Sequence, residues 1–181
     1  MPRLTVDLFT TLDGFASGEQ SPAYFGQSGP ELGNWIEREL ARPQVVLMGR
    51  VTFESLAPSS RSAETELTRR LTELPKVVFS ETLEEPLGWA NSRLVKSGLA
   101  AEVRSLKETP GDPLRTVGSP VLVSSLLTLG LVDRLRLVVF PQVLSSTGRD
   151  LIFANLPDIQ LDLVGTHVLD SRLVLLEYDV R

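Results

Sequence analysis

The strongest constraint on the fold is the short apolar run Val-Val-Leu-Met at residues 45–48, which Gly49 ends. Its side chains do not alternate with polar ones, a pattern typical of a parallel strand that is covered on both faces. Residues 51–56 are predicted to form a helix directly after this glycine. A buried strand that passes through a glycine into a helix favours the α/β class.

Helices and strands alternate through the first two thirds of the chain, and strands dominate the end. Strands are predicted at residues 4–11, 45–48, 76–79, 93–95, 114–117 and 132–143, and helices at 29–41, 51–56, 64–73, 99–108 and 120–129. Residues 159–168 and 172–180 flank Leu169-Asp170-Ser171 as a hairpin. This order predicts one α/β domain over residues 1–181, with a mostly parallel mixed sheet and a C-terminal antiparallel hairpin.

The first helix has a predicted N-terminal cap. Ser28 and Glu31 have the spacing of a capping box, in which a hydroxyl and a carboxylate each accept a backbone hydrogen bond. Pro43 is predicted to end this helix. Residues 18–29, 59–62, 83–92 and 144–150 are predicted to be loops.

Composition excludes several kinds of chemistry. The 181 residues contain no cysteine and one histidine, His167, so cysteine nucleophiles, thiolate metal sites and histidine triads are excluded or unsupported, and no metal site is predicted. The net charge of -5 and the lack of a basic stripe argue against nucleic acid. No apolar run is long enough for a membrane span or a signal segment, so a cytoplasmic protein is expected.

Three predicted strands end in a glycine or a small hydroxyl residue, and together they predict a ligand site. They are Met48-Gly49-Arg50, Phe79-Ser80-Glu81 and Val117-Gly118-Ser119. Because the carboxyl ends of parallel strands share one edge, these turns are expected to lie together, where ligands of α/β proteins bind. The residues themselves leave two interpretations open, a nucleotide site and ordinary turns.

Five blocks of sequence, in order, resemble the dihydrofolate reductase superfamily. They are Thr-Val-Asp-Leu-Phe-Thr-Thr-Leu-Asp-Gly-Phe-Ala at 5–16, Val-Val-Leu-Met-Gly-Arg-Val-Thr-Phe-Glu-Ser at 45–55, Lys-Val-Val-Phe-Ser at 76–80, Thr-Val-Gly-Ser at 116–119, and Gly-Leu-Val-Asp-Arg-Leu-Arg-Leu-Val-Val-Phe-Pro-Gln-Val-Leu at 130–144. The chain is most similar to the reductase domain of the bifunctional riboflavin-biosynthesis deaminase-reductase. The resemblance implies a three-layer dihydrofolate-reductase-like fold and NADPH-dependent transfer of hydride to a small heterocyclic or carbonyl-like substrate.

The resemblance also implies roles for individual residues. The implied cofactor-binding residues are Gly14, Gly49, Arg50, Thr52, Ser80, Gly118 and Ser119. Arg50 is expected to favour the 2′-phosphate of NADPH, and Ser119 replaces the second glycine of the family's pyrophosphate turn. The implied catalytic residues are Asp13, in the loop that covers the nicotinamide, and Glu31, at the position of the acid on the first helix that protonates or orients the pterin.

Family features of the substrate site are missing. The Asp-x-Pro-x-Leu-Thr segment of riboflavin-type reductases is absent at residues 56–61, and no tyrosine follows Gly118 as it does in folate enzymes. The alternatives are therefore a riboflavin-type reductase, a dihydrofolate reductase, and a non-catalytic nucleotide-binding or dimeric homologue. A phosphotransfer domain has too few strand-end acids, Asp7 and Asp13. The resemblance also implies a homodimer that pairs through late strands, with 132–143 as the predicted interface.

Overall fold

A computed structural model of the protein describes residues 1–57 and 65–181. An eight-stranded sheet with the order β5-β4-β3-β6-β1-β7-β10-β9 forms its middle layer. The bounds of these strands are β1 Leu4–Thr11, β3 Val45–Gly49, β4 Lys76–Phe79, β5 Ser92–Val95, β6 Leu114–Thr116, β7 Arg134–Phe140, β9 Leu161–Leu169 and β10 Leu173–Val180. The six strands from β5 to β7 are parallel, and β10 runs antiparallel to β7 and to β9. The predicted mixed sheet with a C-terminal hairpin is confirmed.

Helices cover both faces of the sheet. They are α1 Pro30–Leu40, α2 Arg50–Leu56, α3 Glu66–Glu73, α4 Leu99–Glu108 and α5 Pro120–Thr128. Helices α4 and α5 pack on one face through Val103, Leu122 and Leu126, and α1, α2 and α3 pack on the other through residues such as Leu40, Phe53 and Leu71. The predicted three layers follow, because β3 and its neighbours bury apolar side chains on both faces. No helix among the described residues is both long and apolar enough to cross a membrane.

The prediction that residues 18–29 and 144–150 are plain loops is wrong in part. A small second sheet pairs β2 Phe15–Gly18 with β8 Gly148–Leu151 in antiparallel register. A 3-10 turn at Ala23–Gly26 lies inside the first of these segments. Neither strand has an apolar run, so the pairing comes from the tertiary approach of the two segments. The predicted loop at 59–62 and the predicted helix start at Glu64 lie outside the described residues.

The predicted cap of α1 is also wrong. Gly29, not Ser28, is the N-cap residue, and a glycine has no side chain that could accept a hydrogen bond from the first turn. Asp170 at the hairpin tip caps the helix instead, since its two carboxylate oxygens accept from the N–H groups of Glu31 (2.9 Å) and Leu32 (3.1 Å). A side chain at Gly29 would collide with this carboxylate.

The long strand predicted at 132–143 is shorter, and it does not offer a free face for a partner. Strand β7 is paired with β1 on one side and β10 on the other, and five of its seven residues are buried. The exposed edge belongs to β9, whose Leu163 and Val168 are 58% and 65% exposed. Most apolar side chains of β7 therefore pack within this chain.

Candidate functional site

The carboxyl ends of β3 and β6 are joined by one hydroxyl group. Ser119 Oγ accepts a hydrogen bond from the Gly49 N–H (2.7 Å) and donates one to Thr52 Oγ1 (2.7 Å). Ser119 has a φ of +62°, in the left-handed region that costs a residue with a Cβ roughly 1–2 kcal/mol. The two hydrogen bonds offset that cost and hold the turns after β3 and β6 together as one junction.

Two glycines allow this close approach. A Cβ added to Gly49 would lie 3.2 Å from Ser119 Oγ, and one added to Gly118 would lie 3.0 Å from Thr52 Oγ1. Gly118 also has a φ of +57°, which disfavours any other residue. The structure thus brings together Gly49, Thr52, Gly118 and Ser119, as the sequence predicts.

A cleft of about 560 Å³ includes this junction in its wall. The cleft is bounded by the carboxyl ends of β3, β4 and β5 and by the first turns of α4 and α5. The first N–H groups of a helix have no partner within the helix and suit a phosphate. The volume is within the range of small-molecule sites.

Arg50 and Ser80 both line this cleft, and both already have partners. Arg50 Nη1 donates to Glu54 Oε2 at 2.8 Å, with both side chains nearly half exposed. Such an exposed pair contributes only about 0–1 kcal/mol, so it is easily exchanged for a ligand phosphate. Ser80 Oγ accepts from the N–H groups of Thr82 and Leu83, so it supports the turn after β4.

The loop between β5 and α4 contributes residues to the cleft that the sequence analysis missed. Lys96, Ser97 and Gly98 line it, and Lys96 Nζ forms an ion pair with Glu84 at 2.6 Å. Gly98 has a φ of +76° and is the N-cap residue of α4. The sequence does contain a pattern that indicates these residues, because a strand, a glycine and a helix follow one another here as they do around Gly49.

The Asp13 carboxylate holds two loops together. Asp13 Oδ1 accepts from Thr11 Oγ1 at 2.7 Å, and Oδ2 accepts from the N–H groups of Leu144 and Ser145 at 3.0 and 2.8 Å. The Thr11 hydroxyl, helped by the Ser145 and Leu144 N–H groups, lowers the pKa of Asp13. A carboxylate kept ionised in this way suits a loop-positioning role better than proton donation. Gly14 follows it with a φ of +89° and does not line the cleft.

Glu31 does not line the cleft and lies at the exposed start of α1. Its carboxylate accepts from the Asp170 N–H, so it is the second half of the reciprocal contact between α1 and the hairpin tip. The expectation that Glu31 acts as the acid of a substrate site does not fit this position. The residue was chosen from its place on the first helix, but the α1 side chains that line a second, smaller cavity are Ile36 and Leu40.

A second cavity, of about 210 Å³, lies between α1, α2 and strands β1 and β6. Its walls are mostly apolar, and Asp7 and Arg115 are its charged lining residues. Thr52 lines both cavities, and Gly118 and Ser119 line one each. The two cavities therefore meet at the Ser119 junction, which places the cleft and this cavity side by side.

Asp7 and Arg115 belong to a buried group of four charged side chains with Glu39 and Arg136. Arg136 Nε donates to Asp7 Oδ1 at 2.6 Å, and its Nη1 donates to Glu39 Oε2 at 2.7 Å. Arg115 Nε donates to Asp7 Oδ2. The Trp35 ring lies 5.0 Å from the Arg136 guanidinium carbon and 5.5 Å from that of Arg115. Among the described residues, no cluster of His, Asp or Glu is arranged to hold a metal ion.

The sheet order and the helices on both of its faces define a dihydrofolate-reductase-like α/β fold. The chain belongs to the family of the RibD C-terminal domain, whose model matches residues 2–175. This confirms the resemblance to the reductase domain of the riboflavin-biosynthesis enzyme.

Known proteins similar to this chain agree with that family. It is 30% identical over 181 residues to the uncharacterized protein YyaP of Bacillus subtilis strain 168, covering 97% of this chain and 94% of that one. A structure from Shewanella sp. PV-4 that is named for riboflavin biosynthesis superposes with a TM-score of 0.76, at 21% identity and over 99% of both chains. The Thermotoga maritima diaminohydroxyphosphoribosylaminopyrimidine deaminase/5-amino-6-(5-phosphoribosylamino)uracil reductase superposes with a TM-score of 0.68, at 18% identity, over 99% of this chain and 57% of that one.

Proposed function

We propose that the protein is an NADPH-dependent reductase that transfers hydride to a small heterocyclic or carbonyl-like substrate. The observation that carries the proposal is the Ser119 junction, with a nucleotide-sized cleft and a smaller apolar cavity meeting at it. Family membership adds support, because the Thermotoga maritima relative is named as a reductase. NADPH would occupy the cleft, and the substrate would occupy the 210 Å³ cavity.

The residues of the cleft fit a dinucleotide phosphate by their donor chemistry. Arg50 would bind the 2′-phosphate, the backbone at Ser119 would lie against the pyrophosphate with Gly118 beside it at the junction, and Ser80 would support the adenosine side. NADPH supplies the hydride when bound. The chain positions the two reactants, and Gly118 keeps the space between the cavities free, since any Cβ there would press on Thr52. Asp13 acts on the loop after β1 by fixing it to the loop after β7.

The proposal predicts that Arg50→Ala weakens NADPH binding about tenfold or more and changes NADH binding less than threefold. A hydrogen bond from a charged donor to a phosphate accounts for this size, and NADH lacks that phosphate. Glu54→Gln is the matched control, because it removes the surface partner of Arg50 and is expected to leave NADPH binding equal or tighter. Calorimetric titration measures both cofactors, and equal losses for NADPH and NADH would remove Arg50 from the 2′-phosphate.

A second candidate is a homologue that binds the nucleotide without turnover. The observation that favours it is that Asp13 and Glu31 are both held in structural contacts and that Asp7 is ion-paired. Oxidation of NADPH with 5-amino-6-(5-phosphoribosylamino)uracil, dihydrofolate and simple cyclic ketones separates the two. Binding with no turnover on the whole panel would support the second candidate, and no NADPH binding up to millimolar concentration would rule out both.

We also propose a cytoplasmic homodimer that pairs through β9. The support is an edge strand of nine residues that exposes Leu163 and Val168 and that, within residues 1–57 and 65–181, pairs only with β10. Such an edge is a ready surface for pairing with another chain. Sedimentation of the wild-type chain tests it, and a monomer at micromolar concentration would contradict it.

A further inference from the structure

We propose that Arg115 is the substrate-recognition residue of the 210 Å³ cavity and that the cavity takes an apolar ring bearing an uncharged carbonyl oxygen. The carbonyl would accept a hydrogen bond from the Arg115 guanidinium. This inference rests on the proposed function only in treating the cavity as the substrate site. It adds the chemical class of the ligand and the residue that selects it.

Arg115 has hydrogen-bond donors left over. Within residues 1–57 and 65–181, only its Nε has a hydrogen-bond partner, the Asp7 carboxylate. Its Nη1 is buried without a hydrogen bond, and Glu39 Oε2 lies 3.8 Å from it, beyond hydrogen-bond distance. A buried donor without a partner costs free energy, so an acceptor that reached this guanidinium would be bound with a corresponding gain. The side chain is about nine-tenths buried and lines the cavity, where such an acceptor would arrive.

The comparison with Arg136 shows that the spare donors of Arg115 are not a general property of this charge cluster. Arg136 uses all three guanidinium nitrogens, on Asp7 and Glu39, and it does not line the cavity. The two arginines lie against the same Trp35 ring. Arg136 therefore uses its donors to neutralise and hold Asp7 and Glu39. Arg115 is held in place by Asp7 and Trp35, and its remaining donors are available to a ligand. Rigid donors bind a ligand without the entropy cost of ordering a flexible side chain.

The charge balance favours an uncharged acceptor. The four buried charges of Asp7, Glu39, Arg115 and Arg136 sum to zero, and Arg42, which also pairs with Glu39, is exposed to solvent, so the buried group has no excess positive charge for an anion. A carboxylate that approached Arg115 would also approach Asp7, and repulsion between like charges is strong in a site shielded from water. A carbonyl oxygen accepts the same hydrogen bond without that repulsion.

The rest of the cavity specifies the body of the ligand. Its apolar lining residues come from β1, α1, α2, α3 and the residue after β6: Phe9, Ile36, Leu40, Leu56, Leu67 and Val117. Phe9 is fixed by an edge-on contact with Tyr24 at 5.4 Å between ring centroids. A compact ring system would bury its apolar surface here, and a single polar point would orient it. The volume suits one or two fused rings rather than a phosphorylated sugar.

Three matched probes test the inference on the wild-type chain by protein-observed NMR titration: 1-indanone, indane and indane-1-carboxylate. The expected order is 1-indanone about tenfold or more tighter than indane, because a hydrogen bond to a charged donor has that effect. The carboxylate is expected to bind more weakly than the ketone. Equal affinity for 1-indanone and indane, or tightest binding of the carboxylate, would overturn the proposal without any variant.

Variants locate the effect. Arg115→Met is expected to reduce the preference for 1-indanone over indane to less than twofold, and Arg115→Lys to keep part of it, since a lysine is a point donor that cannot also hold Asp7 in the same way. The control is Arg42→Met, which removes an exposed partner of Glu39 at 3.1 Å and is expected to leave the preference unchanged. A full preference in folded Arg115→Met would overturn the assignment, and if that variant does not fold, Arg115→Lys and the wild-type probes decide.

The titrations are run without cofactor and again with saturating NADP, and neither uses turnover. Absence of NADPH binding would contradict the proposed function. A preference for 1-indanone over indane, measured without cofactor, would still show that the cavity recognises a carbonyl. Normal NADPH binding with no ketone preference in either titration would defeat only the role of Arg115. The two failures are therefore distinguishable.

Discussion

Substitution of Ser119 tests whether its hydroxyl holds the site together. Ser119→Ala removes the hydrogen bonds to the Gly49 N–H and to Thr52 Oγ1 while the φ of +62° stays unfavourable. At about 1 kcal/mol for each bond, the free energy of unfolding is expected to fall by about 2 kcal/mol. Ser119→Gly loses the same bonds but relieves the backbone, so its net cost is about 1 kcal/mol.

The expected order of stability is therefore wild type, then Ser119→Gly, then Ser119→Ala. For a chain of this length, the alanine variant corresponds to a fall in Tm of about 4–8 °C. Urea unfolding followed by circular dichroism gives the free energies. Ser125→Ala is the matched control, because Ser125 lines the same cleft but bonds only within its own helix, to the Val121 carbonyl, and less than about 0.5 kcal/mol is expected.

The reasoning would be refuted if Ser119→Ala were as stable as the wild type, because the two hydrogen bonds would then contribute nothing. It would also be refuted if Ser119→Gly were less stable than Ser119→Ala, because the left-handed conformation would then carry no cost. Either result would leave the close approach of the two strand ends without its explanation.

Two further predictions concern side chains that support the fold. Burial lowers the pKa of Lys76 to about 8 from 10.5, although its Nζ donates to the carbonyls of Leu71 and Leu74. The folded state therefore disfavours the charged form, so stability is expected to rise as pH increases from about 8 to 10.5. Lys76→Met is expected to flatten this slope in urea unfolding curves. A slope that survives in the methionine variant would mean that other groups cause it. Asp170→Ala is expected to cost about 1–2 kcal/mol through loss of the α1 cap, whereas Ser28→Ala is expected to change stability by less than about 0.5 kcal/mol. Thermal unfolding compares the two, and a larger loss for Ser28→Ala would restore the cap predicted from the sequence.

The strand ends that form the cleft were predictable because their signals are local. The apolar run before Gly49 and the Gly118-Ser119 turn each show a strand that stops and a helix that starts, within a few residues. Parallel pairing of β3 with β6 then places these turns on one edge. Arg50 was predicted for the cleft wall for the same reason, and its contact with the 2′-phosphate stays a prediction.

The substrate side was not predictable in this way. The four buried charged residues are far apart in the chain, and no local sequence pattern predicts that they are in contact. They are Asp7, Glu39, Arg115 and Arg136. Strands β1, β6 and β7 each contain a charged residue, which indicates a partner of opposite charge, because an unpaired buried charge is costly. The sequence does not say which acid pairs with which base, and the resemblance pointed to Glu31 on α1, so Glu39 was not identified.

By itself, the sequence determined the α/β class, the order of the elements, the hairpin and the turns of the cleft, because hydrophobic period and glycine position act over a few residues. Only the tertiary structure decided that Asp170 caps α1 and that Glu31 faces this cap. It also decided that Arg115 lines a mostly apolar cavity and keeps a buried donor without a partner. The Asp170 cap and the Asp7–Arg115 pair join residues 139 and 108 positions apart, and they exist only after the sheet has brought its strands into register.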